Sequence, residues 1–187
     1  MSTRDSFRRA VAAGAVGICA CLLGARGAAA QQAGPGLGVE IAPEDYAPWD
    51  ISIQPDGEGL PPGSGDAATG AQVYAAKCLA CHGEEGAGGP NDRLVGGHGT
   101  LADLNQVRTI GSFWPQASTV FDYIRRAMPF QAPQSLSNDE VYALTAYLLS
   151  LNGIIDEDEV MNAETLAKVQ MPNRDGFVPA WPQRGDR

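Results

Sequence analysis

Five consecutive residues carry the most specific chemistry in the chain: Cys78-Leu79-Ala80-Cys81-His82. This C-x-x-C-H spacing is the attachment signature of a covalent haem. Two intervening residues let both sulfurs reach the vinyl groups on one side of the ring as thioethers. The histidine follows at once, so its imidazole can reach the iron from the same turn. Other uses of these residues fit less well. A zinc site takes four ligands, yet after residue 30 the chain has no further cysteine and one further histidine, His98. A thioredoxin-like redox pair expects a βαβ pattern, which is missing. A plain disulfide leaves His82 without a role.

An iron held by His82 has a second axial position. The candidates are His98, Met128, Met161 and Met171, or no protein ligand. Met128 is preferred, because it stands between two expected helices and Pro129 stiffens the loop behind it. Its competing use is to fill a gap in the core. His98 sits in Gly96-Gly97-His98-Gly99, the setting of a solvated loop residue, and Met161 and Met171 lie beyond the last core helix. His82 with Met128 would fill both axial positions, which favours electron transfer over oxygen or peroxide chemistry and raises the reduction potential. The second ring nitrogen of His82 needs an acceptor, for which the Pro90 carbonyl is the candidate. Arg108, Ser112 and Trp114 are candidate donors to haem propionates.

The elements that position these residues read as helices. Thr69 with Gln72 forms a possible capping box for a helix running to Cys78. A glycine-rich loop follows over 83–99. Ser118 or Thr119 can cap a helix holding Val120, Phe121 and Ile124, and Pro129 stops it. Ser137 with Glu140 is the clearest capping box, and the helix after it carries Val141, Leu144, Leu148 and Leu151 at helical spacing before Gly153 ends it. A short helix is expected near Ala163 to Lys168, and Asp156 to Glu159 reads as a solvated acidic run. No alternating strand pattern appears, so the fold class is all-α. Residues 31–65 are rich in Gly and Pro and read as an extended arm, though Tyr46, Trp49, Ile51 and Ile53 give it apolar anchors. The haem domain is expected over 66–153 and a proline-punctuated tail over 154–187.

The first thirty residues read as an export leader. Arg4, Arg8 and Arg9 precede an uncharged run, Ala10 to Gly24, and Ala28-Ala29-Ala30 offers a cleavage site after Ala30. A twin-arginine signal at Arg8-Arg9 and a lipid anchor at Cys21 match less well. Cleavage would place the mature chain in the periplasm without a membrane span, since the apolar run is short for one. The full chain of 187 residues carries a net charge of −9. Without the leader, basic residues fall from 13 to 9 and acidic ones from 22 to 21, giving −12. Such a balance excludes nucleic acid as a partner, because phosphate binding needs a positive footprint.

Thr69 to Gly153 resembles the class I cytochrome c family. The likeness rests on the haem motif, Pro90-x-x-x-Leu94-x-x-Gly97, Met128-Pro129 and a closing helix with Tyr142 and Tyr147. It implies that the first and last helices cross with Gly70 and Tyr74 near Tyr147. A narrower likeness covers more of the chain. Tyr46-Ala-Pro-Trp49-Asp50-Ile51, Pro55-Asp56-Gly57, Leu60-Pro-Pro-Gly-Ser-Gly65, Gly111-Ser-Phe-Trp-Pro115, Phe121 to Phe130, Ala132 to Leu136 and Met171 to Phe177 resemble the cytochrome subunit of sulfur-oxidation sulfane dehydrogenases. In that family and in related sulfite dehydrogenases a molybdenum-cofactor subunit oxidises the sulfur compound, and the cytochrome removes the electrons. Some sulfane dehydrogenase cytochromes carry two haems; this chain has one motif, implying one covalent haem c. The resemblance implies an electron-transfer subunit, not catalytic alone, with another cytochrome as its acceptor. The alternative is a free soluble shuttle. The arm and tail, with Trp49, Ile51, Phe177 and Trp181, favour docking on a catalytic partner; the competing use is to cover the domain itself.

Overall fold

The structure, a computed structural model, describes residues 37–178 and Ala180. The expected leader over 1–30, its two cysteines, and Trp181 lie outside the described residues. The chain divides into two units, Met1–Tyr46 and Ala47–Arg187. The described part of the first holds one helical turn, Pro43–Tyr46, where the Ala42 N–H donates to the Asp45 carboxylate at 2.9 Å.

Among the described residues the regular structure of the second unit is helical apart from one two-stranded ribbon. Its elements are β1 (Ser64–Asp66), α1 (Ala67–Lys77), α2 (Leu79–His82), α3 (Ala117–Ala127), α4 (Asn138–Leu151), β2 (Val160–Asn162) and α5 (Ala163–Leu166). Among the described residues no helix is long and apolar enough to cross a membrane.

α4 is the centre of the core. Ser137 and Glu140 form the expected capping box, and the helix buries Val141, Tyr142, Ala143, Leu144, Thr145, Ala146, Leu148 and Leu149. Those residues surround the helix rather than marking one stripe, as a helix enclosed on all sides requires. Its last turn ends at Asn152, and Gly153 takes φ +63°, the left-handed geometry that glycine accepts without strain. α3 lays Ala117, Val120, Phe121 and Ile124 against this core, at the helical spacing of one face. The Phe121 and Tyr142 rings meet with centroids 4.4 Å apart.

α1 crosses α4 at Gly70. A β-carbon there would collide with the Ala143 carbonyl and stand 2.7 Å from Tyr147 Cβ. One turn further on, Tyr74 meets Tyr147 with ring centroids 5.4 Å apart. The helix is capped by Asp66, not by the expected Thr69: the Asp66 carboxylate accepts the Thr69 N–H at 2.7 Å. Asp66 already stands in extended geometry, which an N-cap needs and a residue inside the first turn lacks. At the other end Lys77 pairs with Glu140 at 2.6 Å. Hydrogen bonds to Lys77 and to the Ser137 N–H hold the Glu140 carboxyl below its usual value. That contribution is present above the ordinary carboxylate range and is lost as pH falls through the folded value.

The start of α3 also departs from the sequence reading. Gln116 is the N-cap and makes no side-chain cap bond. Ser118 lies inside the helix, and its hydroxyl donates to the Pro55 carbonyl at 2.7 Å. A long-range acceptor thus takes the group that local reasoning assigned to a cap.

The compact unit is larger than the 66–153 stretch read as the haem domain. β1 and β2 pair antiparallel, Gly65 opposite Met161, so one strand comes from the expected arm and the other from the expected tail. Three-residue strands give alternation no room to show. Met161, Leu166 and Met171 are almost wholly buried in the core cluster. Ile53 and Leu60 pack against the same cluster. Phe177 meets Phe113 edge to face at 5.3 Å, and Asn173 Nδ2 donates to the Phe113 carbonyl at 2.8 Å. The composition of these segments therefore reflects self-packing in large part. Trp49 stays 84% exposed.

The Gly70 crossing gives a direct test. Gly70→Ala forces a methyl onto backbone, and overpacking of this kind costs about 1–3 kcal/mol. The midpoint of denaturant unfolding should fall accordingly. A wild-type midpoint would mean that the two helices do not approach at Gly70.

Candidate haem site

The chain leaves α1 at Cys78, whose N–H closes that helix on the Tyr74 carbonyl at 2.8 Å. α2 then forms a single turn in which the N–H groups of Cys81 and His82 both donate to the Cys78 carbonyl, at 3.1 and 3.0 Å. One turn thus carries both thiols and the imidazole. Gly83 breaks it with φ +74°, and a β-carbon there would collide with the Gly88 carbonyl. The glycine-rich loop can therefore fold straight back, and the Gly88 N–H reaches the His82 carbonyl at 2.9 Å.

His82 Nδ1 lies 2.9 Å from the Asp92 carbonyl oxygen. A carbonyl only accepts, so Nδ1 carries a proton, and in the neutral ring Nε2 then keeps its lone pair. A metal-bound histidine needs this tautomer. The acceptor is Asp92 and not the expected Pro90, which stands two residues earlier and lines the same cavity. A backbone carbonyl leaves no trace in residue type, so the sequence pointed to the right loop but the wrong peptide.

Cys78, Cys81, His82 and Met128 all line one cavity of about 480 Å³. Its volume lies in the range of small-molecule and cofactor sites, about 300–1,000 Å³. Leu94, Ile110, Val120, Ile124, Leu144 and Leu148 supply apolar wall. Met128 stands at the C-terminal end of α3, where its N–H donates to the Ile124 carbonyl at 3.0 Å. The other candidate axial ligands are elsewhere. Met161 and Met171 are core side chains and His98 is exposed, and none of the three lines the cavity.

The electrostatics of the lining are one-sided. Lys77, Arg93 and Arg108 border the cavity against one acid, Asp92. Arg108 sits with its guanidinium 5.1 Å from the centre of the Phe113 ring. Of the expected propionate donors, Arg108 and Trp114 line the cavity. Ser112 does not line the cavity; its hydroxyl donates to the Val107 carbonyl at 2.6 Å. Lys77 and Arg93 were not singled out from sequence; Lys77, adjoining Cys78, was the easier to find.

Burial pushes the Cys78 thiol up to about 11, with Lys77 opposing and Cys81 adding to the shift. That shift favours the neutral thiol over the thiolate that disulfide exchange uses. Among the described residues no group of three or more His, Cys, Asp and Glu side chains converges as a metal site would need. Burial likewise pushes the Tyr74 phenol up to about 12, and its hydroxyl donates to the Gly83 carbonyl at 2.8 Å. An apolar cavity, two thiols on one wall, an imidazole of fixed tautomer and a thioether fit a covalent haem.

Comparison with known proteins agrees with this geometry. The family model described as cytochrome c oxidase, cbb3-type, subunit III, matches residues 65–148. A search of curated proteins gives no match. A solved structure, that of the sulfane dehydrogenase SoxCD from Paracoccus pantotrophus, contains a chain 48% identical to this one with a TM-score of 0.73, over 78% of this chain and 72% of that chain. The class I cytochrome c fold expected from the sequence is thereby shown. The chain belongs to the c-type cytochromes and resembles the cytochrome subunit of the sulfur-oxidation sulfane dehydrogenases.

Proposed function

We propose that this chain is a periplasmic monohaem cytochrome that takes electrons from a molybdenum-cofactor subunit oxidising a sulfane or sulfite compound and passes them to another cytochrome. The single observation behind the site is that Cys78, Cys81, His82 and Met128 line one apolar cavity while the Asp92 carbonyl orients the imidazole. Cys78 and Cys81 would hold one haem c as thioethers, and His82 Nε2 and the Met128 sulfur would be its axial ligands. When bound, the haem supplies a reversible one-electron iron couple.

The protein residues set the terms of that couple. The Asp92 carbonyl fixes the proton on His82 Nδ1 and makes Nε2 the better donor. A Met128 thioether on the iron would favour the reduced state and raise the potential. Ile110, Val120, Ile124, Leu144 and Leu148 line the cavity with apolar side chains, and Arg93 and Arg108 offer counter-charge for carboxylates. Were His82 and Met128 both to bind the iron, the haem would supply electron transfer without an open position for substrate, which is the basis for reading the chain as an electron carrier that is not catalytic alone. Export rests on the leader pattern and its Ala28-Ala29-Ala30 cleavage site.

The partner reading draws its support from the relation to SoxCD. One observation favours the alternative, a free soluble shuttle: much of the arm and tail packs on the chain's own core. Purification from the native source followed by metal analysis separates the two. Molybdenum co-eluting with the haem protein supports the subunit, whereas a lone monomer that exchanges electrons with other cytochromes unaided supports the shuttle.

Met128→Ala tests the sixth ligand. The oxidised wild-type protein should show the weak near-infrared sulfur-to-iron band, and the variant should lose it and have a lower potential. Met128→His should keep six ligands but also lower the potential, because imidazole stabilises ferric iron more than a thioether does. An unchanged spectrum in Met128→Ala would remove Met128 from the iron.

A further inference from the structure

The stretch 51–64 ties two helices together. Its Ile51 carbonyl accepts from Arg126 Nη2 and its Pro55 carbonyl from Ser118 Oγ, both at 2.7 Å. These donors stand in the last and first turns of α3, about 12 Å apart along the axis. Further on, the Pro61 carbonyl accepts from the Tyr142 hydroxyl at 2.8 Å and the Pro62 carbonyl from Asn138 Nδ2 at 3.1 Å. The Ser64 N–H donates to Asp139 Oδ1 at 2.7 Å. All three of these partners lie in the first half of α4. The strap therefore joins the two helices that flank the Met128 loop.

Arg126 is the member of this set nearest Met128 in sequence, two residues before it. Its Nε is held by Asp122 at 2.7 Å, one helical turn back, while its Nη2 reaches the strap. The guanidinium is planar, so two anchors fix its orientation. Helix ends fray unless something holds them, and Met128 is the C-cap of α3. A frayed last turn would move the Met128 backbone and carry the thioether away from the cavity.

We propose that Arg126 is a positioning residue for Met128: by clamping the last turn of α3 to the Ile51 carbonyl, it keeps the thioether at the cavity. The inference rests on the reading of Met128 as axial ligand. Full-length haem protein is used for the test. In oxidised wild type, loss of the near-infrared band on heating should coincide with loss of helix signal, as one cooperative transition. In Arg126→Ala the band should disappear first, at lower temperature. The equilibrium constant for ligand loss should rise about tenfold, the order expected for one hydrogen bond to a charged group. Arg126→Lys keeps one donor for the Ile51 carbonyl and should restore much of the coincidence. Asn173→Ala, which cuts the tail bond to Phe113, serves as the control: it should lower both transitions together. Coincident transitions and an unchanged potential in Arg126→Ala would overturn the proposal. Absence of the band in wild type would instead end the Met128 reading, and this inference with it.

Discussion

The hydrogen bond between His82 Nδ1 and the Asp92 carbonyl is the contact on which the site depends. A turn of four residues can aim an imidazole at a cavity, but it cannot choose the tautomer or stop the ring from rotating. A fixed carbonyl does both. The glycine-rich loop exists in its present form to deliver that carbonyl. Gly83 lets the chain reverse immediately after His82, and the Asn91 N–H returns to the Cys81 carbonyl at 3.0 Å. Asn152, at the end of α4, then holds the far side of the loop through the Gly96 N–H at 3.0 Å. The orientation of one ring is in this way tied to the last turn of the central helix.

The helices set the distance across the cavity. α1 delivers Cys78 to the cavity and α3 delivers Met128 to it, and both helices are packed on α4. The missing side chain at Gly70 lets α1 close on α4, with backbone and not a flexible side chain at the point of contact. Phe121 on Tyr142 plays the corresponding part for α3. The strap and the ribbon pair then brace this three-helix frame from outside, using carbonyls of a proline-rich segment. Proline has no N–H to leave unsatisfied, so such a segment can lie on a surface as a row of acceptors for side-chain donors.

The legible part of this architecture was the part written in local spacing. Cys78, Cys81 and His82 lie within five residues, and the structure places all three on one cavity; Ser137 with Glu140 announces α4, and that capping box stands as read. The place of Met128 at a helix end was readable because Pro129 marks a loop between two apolar periodic stretches. The misreadings share one cause, which is that the deciding partner is distant in sequence or belongs to the backbone. Asp92 acts through its carbonyl. Ser118 is diverted to Pro55, 63 residues away. Gly65 and Met161 meet in strands too short to show a period. Met161 and Met171 looked peripheral because they follow the last long helix, yet they close the core beneath it.

The central claim is that one turn of this chain carries a covalent cofactor facing Met128. Intact-mass measurement of protein made in a host that attaches haem tests it most directly. The account predicts a mass increase of one haem per chain that survives denaturation, with neither Cys78 nor Cys81 open to alkylation, and no increase in the Cys78→Ala, Cys81→Ala double variant. A wild-type chain at its polypeptide mass with both thiols reactive would contradict it.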